Sequence, residues 1–327
     1  VSNCEFSRDR IERSFSSIYH RWLYYSLAQI PGTLFETLAI NLAHIDREQI
    51  AQRVAWGGVF INGLEVNVDQ PLPVPCKLEY YEPRFELDRA QEFFPQWNDN
   101  LVLFEDEFLI ALFKPAKLPS IPGKEQKYFN LKSYVEKYCG TSIHMPSRLD
   151  MSTSGLILMS KNQKTHKSLQ HIYEYGSIKK AYLLASDAKP LWSKYDERGA
   201  IGKDLRHPVL RTVVEQGGKT ARTIFSRLNL ATADHSTICL AQPLSGRTHQ
   251  IRVHAAHLHI PIIGDNFYSG APASGLRLMA YGLSFRHPQG GARLEIRVPE
   301  HYFPEWLPGA VICEVEPILS EAPISPL

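Results

Sequence analysis

The sequence predicts an α+β protein: a mixed, mostly antiparallel central sheet flanked by helices, preceded by a small α/β domain. Three observations lead there. The chain has 327 residues, room for about two domains. Residues 100–317 are rich in short apolar runs but lack the regular strand–helix alternation of a doubly wound sheet. Residues 33–83 read instead as two helices followed by a hairpin.

The elements follow in order. Residues 1–32 are polar and then aromatic, with Tyr19, Trp22, Tyr24 and Tyr25, and form an N-terminal extension without a readable role. Leu34, Leu38, Leu42 and Ile45 recur at helical spacing. Asp46 caps a second helix from Arg47 to about Trp56, with Gly57-Gly58 as its stop. Val59-Phe60-Ile61 then meets Asn62-Gly63, a dipeptide suited to the positive φ angles of a tight hairpin, and Leu64-Glu65-Val66 returns. Pro71, Pro73 and Pro75 punctuate the chain before a last strand, Lys77 to Tyr81.

Residues 84–99 form an acidic connector. From Glu79 to Glu107 there are nine acids against two arginines, so the rest of the chain is more basic than its overall net charge of +2 suggests. A basic body is compatible with a polyanionic partner, although uneven surface charge accounts for it equally well. In residues 100–317, Gly155 to Met159 is an apolar run read as a buried strand. Ser160 or Asn162 caps a helix from Gln163 to Tyr175 that Gly176 stops. Ile178 to Ala185 and Thr237 to Ala241 are strands. Thr248 opens a helix carrying Ile251, Ala255 and Leu258, and Pro261 closes it. Residues 318–327 form a loose tail.

Composition narrows the function classes. Apolar residues are 44% and charged residues 21%, which is globular usage and excludes wholesale disorder. The five cysteines are odd in number and scattered, so they form neither a disulfide framework nor a paired-cysteine zinc site, and a reducing compartment fits. No apolar run approaches a membrane span, and the first residues lack the apolar centre of a signal peptide. The expectation is a soluble cytoplasmic protein.

Four constellations bear on chemistry. In Ser147-Arg148-Leu149-Asp150-Met151-Ser152-Thr153-Ser154-Gly155 an acid sits among a guanidinium and hydroxyls just before a buried strand. Such groups hold a carboxylate ionised and orient it, as a nucleophile requires, and a structural Arg–Asp turn is the competing reading. In Ser245-Gly246-Arg247-Thr248-His249-Gln250-Ile251-Arg252-Val253-His254 a glycine-led helix start is crowded with donors suited to phosphate or carboxylate. A basic capped helix is the alternative there. His249, His254, His257 and His259 match no metal-site spacing, and no metal is expected. Lys180 and Tyr182 alternate onto one strand face, where Tyr182 is placed to stack on a base, to accept a proton or to fill the core.

Taken together, these motifs resemble the RluA family of pseudouridine synthases. Arg148-Leu149-Asp150 with Thr153-Ser154-Gly155 is similar to its nucleophile motif. Gly246 to His254, followed by Pro261 and Gly264-Asp265, is similar to its second signature. Leu103 to Pro115, Gly218 to Thr223, and Arg277-Leu278 with His287-Pro288 match further, in the family's order. Ser147 stands where the family commonly has His. The block from Leu34 to Glu82, with Arg53 and then Gly57 to Gly63, resembles the small S-four-like RNA-binding domain that often precedes this catalytic domain.

The resemblance implies the pseudouridine synthase fold over 100–317 and an S-four-like RNA-binding domain over 33–83. It implies an isomerase that converts uridine to pseudouridine in structured RNA, without a cofactor or metal. Asp150 is then the nucleophile, Tyr182 the residue that stacks on uracil and serves in removing the C5 proton, and Arg252 the partner of the catalytic carboxylate. Arg148 fills the gap left by the extruded base, and Thr153, Arg247, His249 and Lys180 complete the substrate-binding set. Ribosomal RNA is the favoured partner and transfer RNA the alternative, with a monomeric enzyme expected. An idle RNA-binding or ribosome-assembly protein is the competing class, set against an intact Asp150, Tyr182 and Arg252. A carboxylate-dependent hydrolase lacks its second well-placed acid.

Overall fold

The structure, a computed structural model, describes residues 7–12, 19–28, 31–42, 46–55, 59–83, 98–122, 130–204 and 210–320. The chain divides into two units, residues 1–97 with 118–138, and residues 98–117 with 139–327. The sequence reading kept 100–317 as one block; in the structure 118–138 group with the first unit. That segment closes on itself, Leu131 N–H donating to Pro119 O and Lys132 N–H to Ser120 O.

In the first unit, α1 (Leu34–Asn41) opens at Thr33, whose side chain accepts from Glu36 N–H while Glu36 reaches back to the Thr33 N–H. Asp46 and Gln49 form the same reciprocal pair at the start of α2 (Arg47–Ala55). Leu34, Leu38, Leu42, Ile50 and Val54 are buried together against Val59, Ile61, Leu78 and Tyr80. The strands are β1 (Ser7–Glu12), β2 (Tyr19–Ala28), β3 (Val59–Ile61), β4 (Leu64–Glu65) and β5 (Cys76–Pro83). Their order is β1-β2-β5-β3-β4. Asn62 and Gly63 turn the β3–β4 hairpin with φ of 52° and 80°. The N-terminal aromatic block thus supplies β2, which pairs antiparallel with β5. The Gly57-Gly58 stop, most of the acidic connector and residues 321–327 lie outside the described residues.

The second unit carries the larger sheet. Its strands are β6 (Val102–Glu105), β7 (Leu109–Lys114), β8 (Ser154–Ser160), β9 (Ile178–Ser186), β10 (Lys194–Glu197), β11 (Ile201–Lys203), β12 (Arg211–Val213), β13 (Thr223–Arg227), β14 (Thr237–Pro243), β15 (Leu278–Arg286) and β16 (Arg293–Arg297). Among the described residues the order is β10-β13-β14-β9-β15-β8-β7-β6, with β16 also paired to β15 and β11–β12 forming a separate ribbon. The pairs are antiparallel except β8 with β15, which is parallel and short: Ser154 and Gly155 face Met279 and Ala280. The mixed, mostly antiparallel α+β architecture is the one the sequence predicts.

Alternation explains why these strands read as nearly continuous apolar runs. Leu183, Ala185, Ile238, Leu240, Met279 and Tyr281 share one core with Leu169 of α4 (Gln163–Glu174) and Val311 and Val315 of α6 (Val311–Ser320). The residues between them, Leu184, Cys239, Ala241 and Leu278, pack with Ile251 and Ala255 of α5 (Gln250–His257). Both faces are covered, so the central positions of β9, β14 and β15 are mostly apolar on both sides. Helix α3 (Leu131–Cys139) begins in the segment that groups with the first unit.

Two local expectations change. Asn162, not Ser160, caps α4, its side chain accepting from Thr165 N–H at 2.8 Å. Helix α5 begins at Gln250, two residues after Thr248, because His249 takes a left-handed φ of 57° and breaks the helical path. The same helix ends at His257, before Pro261.

The parallel junction sets a strict requirement at Gly155, whose φ is +113° and where an added Cβ would meet the Ala280 carbonyl oxygen at 2.2 Å. We expect Gly155→Ala to cost at least about 2 kcal/mol, because backbone strain and a backbone clash coincide. A lowered urea midpoint with an unchanged slope checks this; a midpoint equal to the parent's contradicts it.

Candidate active site

The loop from Ser147 to Thr153 leads into β8 and is held mainly through its backbone. Lys117 N–H donates to Met151 O at 2.7 Å, and Thr153 N–H closes a turn on Asp150 O at 3.0 Å. Lys114, fully buried at the end of β7, donates from Nζ to Pro115 O at 2.9 Å and Met151 O at 3.3 Å. Leu149 is buried and anchors the loop from below, while Arg148 beside it is exposed. Asp150, between two tethered neighbours, keeps 30% of its side chain exposed.

Arg252 reaches this carboxylate from α5. Its Nη1 donates to Asp150 Oδ2 at 3.2 Å. Its Nε and Nη2 donate to Asp265 Oδ2 and Oδ1, each at 2.7 Å. The second interaction is a two-point clamp on a planar fork, and it fixes where the remaining edge points. Burial works against the Arg252 charge, but the Asp265 and Asp150 carboxylates outweigh it and raise its pKa. Phe267 and Tyr268 lie over the guanidinium, each ring centroid 5.2 Å from Cζ.

His249 completes the surround, with Nε2 3.8 Å from Asp150 Oδ2 and Nδ1 2.8 Å from the Tyr268 hydroxyl. That hydroxyl accepts from Arg211 N–H at 3.1 Å, leaving its own proton to donate to Nδ1. Neutral His249 then carries its proton on Nε2, facing Asp150. Burial lowers the His249 pKa, with Asp150 opposing and Arg252 assisting.

Tyr182 and Lys180 alternate onto the α5 face of β9, as the period of two predicts. Burial raises the Tyr182 pKa, and Tyr173 and Asp150 add to the rise. Its phenol is therefore protonated near neutral pH, close enough to Asp150 to feel that charge. Tyr173 is itself pushed up to about 12 by burial, opposed by a hydrogen bond with Ser147. Burial lowers Lys180 to about 8, and its Nζ donates to Ser245 O at 3.0 Å. Lys180 thereby ties β9 to the loop that precedes α5.

Gln250 organises that loop. Its Oε1 accepts from Ser245 Oγ at 2.8 Å and Arg247 N–H at 3.0 Å, and its Nε2 donates to Arg222 O and Thr223 Oγ1, both at 3.0 Å. Arg247 is exposed, with Nε bonded to Thr220 O at 2.9 Å. His254 spends both ring nitrogens, on Thr223 Oγ1 and Gly199 O, each at 2.9 Å. Among the described residues no group of three or more His, Cys, Asp or Glu gathers as a metal ion would need.

Asp150, Arg252, His249 and Tyr182 thus converge, with Arg148 and Arg247 exposed on the two loops. Thr153 differs from the substrate-binding place expected of it. It is 3% exposed and its backbone closes the Asp150 loop, because it is the last residue before a strand buried on both faces. The sequence reading assigned no role to Asp265, Tyr268 or Lys114. Each was visible only inside a longer quoted motif, or as an acid and an aromatic just after α5.

Comparisons with known proteins show what the chain is similar to. Residues 109–257 match a family model described as RNA pseudouridylate synthase. The dual-specificity RNA pseudouridine synthase RluA of Vibrio parahaemolyticus is 32% identical over 223 residues, 64% of this chain and 86% of the relative. The uncharacterized RNA pseudouridine synthase YhcT of Bacillus subtilis is 32% identical over 186 residues, 55% of this chain and 61% of the relative. Among solved structures, human RNA pseudouridylate synthase domain containing 1 aligns with a TM-score of 0.57 at 20% identity, over 71% of this chain and 99% of that one, a likeness in fold.

Burial brings Lys114 down from 10.5 to about 7, with Asp150 opposing. Between those values the unfolded chain holds one proton more than the folded chain, so this group makes stability rise with pH. The difference in unfolding free energy between the parent and Lys114→Met should therefore grow above about pH 7, with a slope approaching about 1.4 kcal/mol per pH unit. Urea titrations across that range test it; a difference flat in pH shows that the ammonium reaches solvent.

Proposed function

The chain belongs to the RluA family of RNA pseudouridine synthases, and from that premise we propose that Asp150 is the nucleophile with which it isomerises uridine to pseudouridine in RNA. The observation that carries this assignment is the Arg252 hydrogen bond to a half-exposed Asp150, with the guanidinium locked from behind by Asp265.

In this reading the uridine is turned out of its stack and lies between Tyr182 and Asp150. The N1–C1′ bond breaks and a C5–C1′ bond forms after the ring turns. A proton leaves C5 and one arrives at N1, so nothing is gained or lost overall. Asp150 supplies the covalent anchor during the turn, and Arg252 orients its carboxylate. Tyr182 stacks on the uracil, and its phenol takes the C5 proton as it gives up its own toward N1, so the proton lost at C5 is matched by the one gained at N1. The raised pKa fits a residue that rests as a neutral phenol before substrate arrives. Extrusion costs a few kcal/mol, and the exposed Arg148 is placed to refill the vacated stack. Arg247 and His249 sit on the opposing loop, where phosphate and ribose would pass, and Lys180 acts on that loop through Ser245.

Ribosomal RNA is the target we favour. Support comes from the first unit, whose paired helices and Asn62-Gly63 hairpin accord with an S-four-like RNA-binding module. Transfer RNA is the second reading, compatible with a Vibrio relative named for dual specificity. A monomer working in the cytoplasm accompanies either reading. No helix among the described residues is long and apolar enough to cross a membrane.

Mapping pseudouridines in total RNA treated with the protein identifies its sites. Asp150→Ala should abolish the product while RNA affinity stays within about threefold; product at the parent's rate refutes the nucleophile. Tyr182→Phe should keep RNA affinity and lower kcat at least about 100-fold, the upper part of the range general acid–base catalysis supplies. Full turnover in that variant confines Tyr182 to stacking.

A further inference from the structure

His249 stands at the start of α5 but does no capping. Its φ of 57° is left-handed, and its side chain makes no capping hydrogen bond to the helix. The ring turns toward Asp150 instead, with Nε2 3.8 Å from Oδ2. That separation is too long for a hydrogen bond, yet one hydroxyl oxygen can lie within bonding reach of both atoms. We propose that His249 donates from Nε2 to the ribose 2′-hydroxyl of the target uridine, and that Tyr268 is the positioning residue that keeps the proton on that nitrogen. The proposal rests on the Asp150 reading and takes C1′ as the atom the carboxylate attacks.

The stereochemistry of the sugar brings that hydroxyl to this place. In uridine the base stands on one face of the ribose and the 2′-hydroxyl on the other. A carboxylate that displaces uracil approaches C1′ opposite the base, on the face that carries the hydroxyl. The Oδ–C1′ bond forms as the N1–C1′ bond breaks, its electron pair leaving on N1, and C5 later displaces the carboxylate. Throughout, the 2′-oxygen lies beside the attacking carboxylate, and lone pairs facing a carboxylate need a donor. Arg252 Nη1 is already bonded to Oδ2 at 3.2 Å, and His249 Nε2 is the N–H left to meet the hydroxyl.

Tyr268 makes His249 a donor on that side. Its hydroxyl accepts from Arg211 N–H at 3.1 Å and therefore turns its own proton to His249 Nδ1 at 2.8 Å. With Nδ1 accepting, the proton of the neutral ring stays on Nε2. Burial, which lowers the His249 pKa, favours that neutral ring. The ring plane is held as well. Phe267 lies nearly parallel to it at 26° and 6.1 Å, and Tyr268 stands edge-on at 83° and 5.7 Å. Tyr268 also covers the Arg252 guanidinium, so one side chain serves both groups beside the carboxylate. The His249 side chain is only 9% exposed, and an N–H left unmet there once substrate closes the site is costly. A nucleotide without the hydroxyl leaves it unmet, so the pair separates ribose from deoxyribose at the reacting residue.

The test uses the RNA site found by mapping, made as a stem-loop in two forms: all ribose, and with 2′-deoxyuridine at the target alone. The ratio of kcat/KM for the ribose form to that for the deoxy form is taken within each protein, so a loss of folded material does not move it. The hydroxyl's own effect on the sugar is common to all proteins and cancels when their ratios are compared. The parent ratio should be at least about tenfold, as expected where a buried donor loses its partner. His249→Asn should bring it to within about threefold. Asparagine accepts a left-handed backbone, and its shorter amide does not reach the Nε2 position. Tyr268→Phe should lower the ratio at least about threefold from the parent's, because the imidazole is then free to turn and to move its proton to Nδ1. A parent ratio below about tenfold, or a His249→Asn ratio that stays above about threefold, overturns the hydroxyl contact while leaving Asp150 in place. An unchanged ratio in Tyr268→Phe overturns its positioning role. Pseudouridine formed from the all-ribose loop by Asp150→Ala at the parent's rate overturns the reading on which the contact rests.

Discussion

A guanidinium offers five N–H donors in one plane, and Arg252 spends them in two directions. Two go to Asp265, and the opposite edge is left for Asp150. The residue is buried, its charge opposed by burial and upheld by the two carboxylates. Without Asp265 the side chain would have several rotamers and an uncompensated charge. With it, the distance between a helix and a loop far apart in sequence is fixed at one hydrogen bond. The flanking rings of Phe267 and Tyr268 exclude water from the pair and so strengthen it. An ammonium in the same place supplies charge but no plane, so lysine would not reproduce the geometry.

The sheet makes that meeting possible. Covered on both faces, its central strands cannot slip by one residue without exchanging the two cores. Tyr182 and Lys180 are therefore held to the α5 face by the packing of Leu183 and Ala181 on the other. The Asp150 loop enters the same sheet through Gly155, where the backbones of β8 and β15 approach too closely for a side chain. Lys114 secures the loop from beneath by bonding Met151 O. A buried ammonium is costly, and the cost falls beside the partly exposed carboxylate of Asp150.

Much of this was legible from residue order alone. The cap at Asp46, the Asn62-Gly63 turn and the alternation along β9 are local, and local chemistry decides them. Asp150 and Arg252 each sit in a dense polar motif beside an apolar run, which marks them as candidates, but their roles come from the family resemblance and not from that chemistry. Asp265 and Tyr268 carry no such mark, because their partners lie in space rather than in sequence: one completes a clamp, the other ties His249 to Arg211. The start of α5 was misplaced for a similar reason. Thr248 has the chemistry of a cap, yet Gln250 satisfies the loop through Ser245, Arg247, Arg222 and Thr223, and His249 bends away. Nor does composition separate residues 118–138 from the block around them.

The short parallel junction between β8 and β15 has a consequence for biosynthesis. Residues 154 and 155 meet residues 279 and 280, which leave the ribosome far later. Until they arrive, the strand beside the Asp150 loop has an open edge there, and Arg252 has already emerged without a finished groove to enter. Such distant pairing is slow to form and prone to unwanted association while it waits. A nascent chain halted before β15 would hold every polar group described around the carboxylate and still be inert, which delays catalysis until synthesis of the second unit is nearly done.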